Sequence, residues 1–429
     1  MKYAENLSEF TLAFNHDALK EEDLCDFYYD ATIPSRMDDN YQSPMEDIYE
    51  SCLVVESQNA HLLLGHSGCG KSTELNALKR KLENDGRKVS VIQCLLEADR
   101  MSLVYWDLLI LLGKHLCRVA FDINCRLPDS LIDNIDNFWK DIENIEIIND
   151  SSKIGIKGEI GTPKIAKLIN LFAGLSTELQ YGYDTRTEIR EKVKRSAAQW
   201  IGYMTEVSDR ITLQLGGKQP IVIFEDLDKL SPEKAWGIFD NPLSQMPFPV
   251  IYTFPISMSY DPKFTGLEAS FNIHILPMIK IRTIDRAEFQ DGIEVIKAIV
   301  AKRADLSLFD EPALAYLIRK TGGVLRDLFR YITAAATRAR RRKSNKIELE
   351  DAKAVIIGLR SSLSRRIEKD DYSLLKSIYK GGKYKSQIEN RAMLLKMMQG
   401  LIVLEYNGDR WCDLHPLIED LLVDQGELS

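Results

Sequence analysis

The sequence predicts an α/β fold: a parallel sheet between helical layers (αβα), then a helical lid, then a C-terminal winged helix. Three features point there. First, Gly65-His66-Ser67-Gly68-Cys69-Gly70-Lys71-Ser72 fits G-x-x-x-x-G-K-[ST] at every fixed position. It lies between the apolar run Ala60-His61-Leu62-Leu63-Leu64 and a segment with Leu75, Leu78 and Leu82 at helical spacing. Second, Ile221-Val222-Ile223-Phe224 is an apolar run that ends in acids, as a buried parallel strand does when it delivers polar groups to its C-terminal end. Third, the pattern turns helical from Arg286 onward, and residues 371–421 read as helices followed by two strands joined across Asn407-Gly408, the preferred type I′ hairpin pair.

Residues 1–59 form a lead-in that flanks the glycine loop. Phe27, Tyr28 and Tyr29 cluster there ahead of Ile33-Pro34. They either pack as a flap on the core or wall a purine, whose face suits aromatic and apolar groups. Residues 60–285 read as the core, with strands over 60–64, 87–94, 220–224 and 249–253 and another within 271–281. Its first helix is expected over 72–84, and 104–120 is apolar and long enough for a buried helix. Residues 121–185 are less regular, with a hairpin strand expected over 154–160, and 188–215 reads as one long helix. Residues 286–360 read as the lid, with helices over 287–303, 311–320, 324–342 and 347–359 and a break at Thr321-Gly322-Gly323. Residues 361–429 read as the winged helix, with helices over 371–379 and 386–399 and strands over 401–406 and 410–414.

The chain has 429 residues, enough for two or three domains. Hydrophobic residues make up 45% and charged residues 28%, an ordinary globular balance. A net charge of −8 gives no global attraction to nucleic acid or an anionic membrane. Locally, residues 1–50 carry about −10 and residues 321–346 about +7. The basic run Arg338-Ala339-Arg340-Arg341-Arg342-Lys343 either contacts nucleic acid or simply suits the C-terminal end of a helix, where the dipole favours cations. Seven cysteines without a C-x-x-C pair or zinc spacing read as reduced intracellular thiols. With no apolar run of about 18 residues and no signal-peptide start, a cytoplasmic protein without a membrane partner is expected.

The chemistry centres on Gly65, His66, Ser67, Gly68, Cys69, Gly70, Lys71, Ser72 and Thr73. Glycines let the backbone wrap with its N–H groups inward, Lys71 reaches β/γ-phosphates, and the Ser72 hydroxyl ligates Mg²⁺. The phosphate then sits on a helix N-terminus. Hydrolysis needs a strand-end acid for Mg²⁺ and another to orient water. Glu225 is expected to hold the metal and Asp226 to polarise the water, with the roles reversible and Asp228 able to take one of them. Thr253, at a strand end, either touches the γ-phosphate or is a buried satisfied threonine. Arg326, after the glycine break, either swings onto the γ-phosphate or pairs with Asp327 at the surface.

These pieces resemble the AAA+ superfamily of P-loop NTPases and the related STAND NTPases, and most closely the origin-recognition/Cdc6-like branch. Residues 65–73 correspond to Walker A, 221–228 to Walker B, 250–253 to the sensor-1 strand and 322–328 to the sensor-2 helix. Gly-Lys-Ser-Thr-Glu-Leu at 70–75 and Leu414-His415-Pro416-Leu417 resemble bacterial members of the group. Two departures stand out. Glu225 occupies the place where that family has Asp, which leaves slow hydrolysis open. Residues 74–220 are longer than a bare AAA+ core needs, so part of 100–215 is an insertion. The resemblance implies an ATP- and Mg²⁺-dependent ATPase that switches assembly or partner contact. Its partners would be further copies of itself, a separately encoded effector, or both, as in bacterial anti-phage defence. A DNA-binding ATPase using the winged helix is the rival, although residues 401–429 carry about −6, poor for phosphate contact. Arg282 and Arg286, and more weakly Arg186 and Arg190, are the arginine-finger candidates.

Overall fold

Five strands pair wholly in parallel: β1 (Ala60–Gly65), β2 (Val89–Gln93), β3 (Ile221–Glu225), β4 (Val250–Pro255) and β5 (Asn272–Ile275), in the order β2-β3-β4-β1-β5. The computed structural model describes residues 1–31, 43–54, 59–140, 164–381, 390–406 and 411–428. Every residue of β1, β3 and β4 is buried, which is why these strands are continuous apolar runs rather than alternating ones. β4 lies between β1 and β3, with Leu63 opposite Thr253 and Val222 opposite Val250. The C-terminal ends of β1 and β3 therefore sit one strand apart, where an open parallel sheet takes its ligand.

Helix α1 (Lys71–Asn84) follows β1 and buries Leu75, Leu78 and Leu82, each contributing about 2 kcal/mol. Between β2 and β3 come α2 (Tyr105–Asp122), α3 (Asp129–Trp139), α4 (Ile165–Tyr181), α5 (Asp184–Arg195) and α6 (Ala197–Gln214). They share a core of Trp139, Trp200 and Phe172. A Cβ on Gly113 of α2 would meet the Trp200 ring at 2.5 Å, so glycine permits this close approach. Two expectations change here. The single helix over 188–215 is two helices, because Ser196 leaves the helical region at φ −126°, ψ 29°. The less regular stretch contains α3 and α4, whose apolar faces bury Ile135, Phe138, Leu168 and Phe172. The strand expected over 154–160, Ile33-Pro34 and Asn407-Gly408 lie outside the described residues.

Helix α7 (Pro232–Phe239) joins β3 to β4. The chain then forms α8 (Gln290–Ala301), α9 (Glu311–Arg319), α10 (Leu325–Arg341) and α11 (Leu349–Ser364), which have their own apolar core. The N-terminal segment belongs to that core: Phe10 packs on Phe309, and Phe14 on Phe329. Last come α12 (Tyr372–Lys380), α13 (Arg391–Gln399), the antiparallel pair β6 (Val403–Glu405) and β7 (Cys412–Leu414), and α14 (Pro416–Asp424). Among the described residues, no helix is long and apolar enough to cross a membrane.

Candidate phosphate-binding site

Two glycines build the turn from β1 into α1. Gly68 has φ +84° and Gly70 φ +106°, a region L side chains rarely adopt. A Cβ on Gly68 would stand 2.8 Å from Arg326 Cβ, so this glycine also lets α10 approach the loop. Gly70 caps α1, whose first N–H groups lack intrahelical acceptors and whose dipole favours an anion.

Lys71 is buried in the loop. Its ammonium donates to the carbonyls of Gly65 at 2.7 Å and His66 at 3.0 Å and lies 2.8 Å from Asp228 Oδ2. Burial pulls the Lys71 pKa down, but the Asp228 carboxylate outweighs it and holds the value above that of an ordinary lysine. Glu225, the last residue of β3, is buried and hydrogen-bonded to Ser72, while its Oε1 is buried without a hydrogen-bond partner among the described residues. Burial raises its pKa, the charges of Asp226 and Asp228 add to this, and the Ser72 bond opposes it. An orphaned carboxylate oxygen beside a loop serine fits a hard divalent cation. Among the described residues no cluster of three or more His, Cys, Asp or Glu side chains could hold a metal. Mg²⁺ takes one or two protein oxygens and completes its shell with phosphate and water.

The remaining candidates separate. Asp226 does not reach the loop: its carboxylate pairs with Lys229, and its φ of +73° turns the chain so that Asp228 faces Lys71 instead. Thr253 is also turned to a structural use. Its hydroxyl accepts from Leu227 N–H at 3.1 Å and donates to Phe224 O at 3.3 Å, tying β4 to the turn after β3. Arg326 does come to the loop, donating from Nη1 to Ser67 Oγ at 2.6 Å and from its backbone N–H to Gly68 O at 3.3 Å. The four finger candidates are committed inside the chain. Arg282 and Arg286 bind Asp413, Arg186 binds Asp99, and Arg190 binds Asp107. In the basic run, Arg342 is held by Glu348 at 3.0 Å and Asp351 at 2.8 Å.

An open cleft runs from Lys71, Ser72 and Thr73 between the N-terminal segment and the α8–α10 face. Leu19 N–H donates to Thr73 Oγ1 at 3.3 Å, Asn76 donates to Leu19 O at 2.9 Å, and Tyr28 OH donates to Glu74 at 2.8 Å. The aromatic cluster at 27–29 thus lines the cleft. Residues 16–19, Arg303 and Phe329 line it too, and no local pattern in the sequence marks them. His66 is fully buried, and burial, helped by the Lys71 charge, lowers its pKa to about 3. The neutral ring accepts the Glu405 backbone N–H at 2.7 Å, joining the loop to β6.

The parallel sheet, the glycine loop between β1 and α1 and the carboxylates at the end of β3 define an α/β P-loop fold. No family model and no curated protein matches the sequence. Among solved structures, the chain is similar to the Walker-type ATPase PABY2304 of Pyrococcus abyssi, at 15% identity over 91% of this chain and 97% of that one, with a TM-score of 0.41. It is also similar to the Aeropyrum pernix ORC1 protein in complex with DNA, at 12% identity over 89% and 92% of the two chains (TM-score 0.37). A third likeness is to the Thermotoga maritima RuvB Holliday junction branch migration motor, at 12% identity over 88% and 94% (TM-score 0.32).

Proposed function

We propose that this chain is a Mg²⁺-dependent ATPase of AAA+/STAND type, related to the origin-recognition/Cdc6-like branch, that works as a molecular switch. In this reading 60–285 is the ATPase core with an insertion at about 100–215, 286–360 the lid, 361–429 a winged helix and 1–59 the nucleotide-flanking lead-in. The observation that carries it is the convergence of Lys71, Ser72, Glu225, Asp228 and Arg326 on one glycine loop. The phosphates of ATP fit against Lys71 and the α1 N-terminus, with Arg326 answering the terminal group. Mg²⁺ held from Ser72 and Glu225 supplies charge neutralisation at the phosphate oxygens. Lys71 exchanges Asp228 for phosphate, which frees that carboxylate to orient water. Both candidate water-orienting acids are ion-paired in this conformation, Asp228 with Lys71 and Asp226 with Lys229, which supports slow turnover. ATP is preferred to GTP because the chain has no Asn-Lys-x-Asp guanine reader.

The switch reading draws on the links between the loop and the C-terminal residues. Besides the bond from Glu405 to His66, Tyr406 OH donates to Gly322 O at 2.8 Å, and Lys320 pairs with Asp420 at 2.6 Å. Movement of Arg326 and its helix with nucleotide state is thereby felt by β6 and α14, and from there by further copies of the chain or by an effector protein. The family analogy extends this to anti-phage defence. Single-turnover hydrolysis by wild type, Glu225→Gln and Asp226→Asn tests the enzyme reading. Mass measurement with and without ATP tests the switch.

A further inference from the structure

Arg303 lines the same cleft as Lys71 and Ser72. It follows α8 and is 4% exposed. Its guanidinium carbon lies 4.3 Å from the Phe329 ring centroid, and both side chains line the cleft that begins at Lys71 and Ser72. Nη1 donates to Ala13 O at 3.0 Å, but Nε is buried and has no hydrogen-bond partner among the described residues. The acid whose charge reaches it is Asp23, itself held by the N-terminal ammonium. Burial lowers the Arg303 pKa to about 10, so it is charged at neutral pH.

A buried guanidinium N–H without an acceptor is unfavourable and calls for an explanation, and at the wall of an open cleft a bound ligand supplies one. The surroundings say what kind of ligand. Phe27, Tyr28, Ile299 and Phe329 present aromatic and apolar surface, and the Tyr28 hydroxyl is already given to Glu74. Flat apolar faces with one strong donor among them suit a ring that is apolar on its faces and carries acceptors on its edge. Purine ring nitrogens are such acceptors, and arginine is a common reader of them.

We propose that Arg303 reads the base: its Nε–H donates to a ring nitrogen of the purine seated against Phe329. The inference rests on the nucleotide reading above and adds the specificity residue to it. The same side chain holds Ala13, and the Arg303 backbone carbonyl accepts from Ala4 N–H at 2.9 Å, so an occupied base site also fastens the N-terminal segment to α8 and α10.

The test is equilibrium binding of ATP and of its 1-deaza, 3-deaza and 7-deaza analogues to the full chain, as wild type, Arg303→Met and Arg303→Lys. One analogue is expected to bind wild type about 10-fold or more weakly than ATP, the fold-change of losing a hydrogen bond to a charged donor. That gap closes in Arg303→Met and in Arg303→Lys, which keeps the charge but loses the Nε–H. If Arg303→Met fails to fold, Arg303→Lys decides. The inference is overturned if all three analogues bind wild type within about twofold of ATP, or if the gap persists in the variants. Wild type that binds no ATP at all overturns the nucleotide reading, and this inference with it.

Discussion

Lys71 Nζ and Asp228 Oδ2 are 2.8 Å apart, and both side chains are buried. The cation of the glycine loop is thus occupied by the chain's own carboxylate, which, in the proposed function, an incoming phosphate displaces. In Asp228→Asn that competitor is gone. ADP is predicted to bind about 10-fold more tightly in Mg²⁺-free buffer. The nucleotide-free protein is predicted to lose about 3 kcal/mol, because a buried ammonium has lost its partner. Calorimetric titration and thermal unfolding check both effects. Unchanged ADP affinity would remove Asp228 from the account.

Glu225 has an orphaned oxygen and a bond to Ser72. Replacing it with glutamine removes the charge but keeps the volume. Glu225→Gln is predicted to bind ATP with the same affinity with and without Mg²⁺, and to lose about 10²-fold or more in single-turnover rate. Asp226→Asn is predicted to fold normally, since asparagine tolerates the φ of +73° found there, and to lose less activity than Glu225→Gln. Rapid-quench kinetics across a Mg²⁺ series separates the two variants.

Burial holds three histidines neutral far below their usual range, lowering His66 and His61 to about 3 and His274 to about 4. His61 and His274 contact each other at 3.1 Å. Below pH 6.5 the unfolded chain takes up protons that the folded chain refuses. Stability from these groups is therefore complete above pH 6.5 and is lost as pH falls toward the folded values. Each fully refusing histidine steepens the loss by about 1.4 kcal/mol per pH unit. His66→Gln keeps an acceptor for the Glu405 N–H and is predicted to flatten the stability profile by that amount over roughly pH 6 to 4. Urea unfolding at stepped pH measures the slope.

Asp413 of β7 is fully buried and meets Arg282 at 3.3 Å and Arg286 at 3.0 Å. Asp413→Asn leaves two guanidinium groups without their shared carboxylate and is predicted to cost about 3 kcal/mol. The loss should appear locally. Hydrogen exchange is predicted to speed up in β6, β7 and α14 while β1 and β3 stay protected. Uniform loss of protection would show that the C-terminal elements do not move as a unit.

The parts of the site that depend on local chemistry were legible in the sequence. Glycines at 68 and 70 report the backbone they must adopt, and Lys71 and Ser72 follow at fixed spacing. Arg326 was visible because it opens a helix after a glycine break. Other features depend on distant packing. Whether Asp226 or Asp228 faces Lys71 turns on one left-handed residue, which neighbouring sequence did not announce. Thr253 is spent on β3 because of the β3–β4 register. Arg286 looked free because its partner Asp413 is 127 residues away. Ser196 breaks a helix with neither proline nor glycine to mark it. Arg303 and Phe329 enter the cleft only through the way α8 and α10 pack.

The central claim is that the loop at residues 65–73 holds a triphosphate through Lys71, with a divalent ion placed between Ser72 and Glu225. Calorimetric titration of a non-hydrolysable ATP analogue measures it most directly, on wild type, Lys71→Ala and Glu225→Gln, with and without Mg²⁺. The account predicts one site per chain in wild type, tightened by Mg²⁺, no measurable binding to Lys71→Ala, and binding to Glu225→Gln that ignores Mg²⁺. Lys71→Ala binding the analogue as wild type does would contradict it.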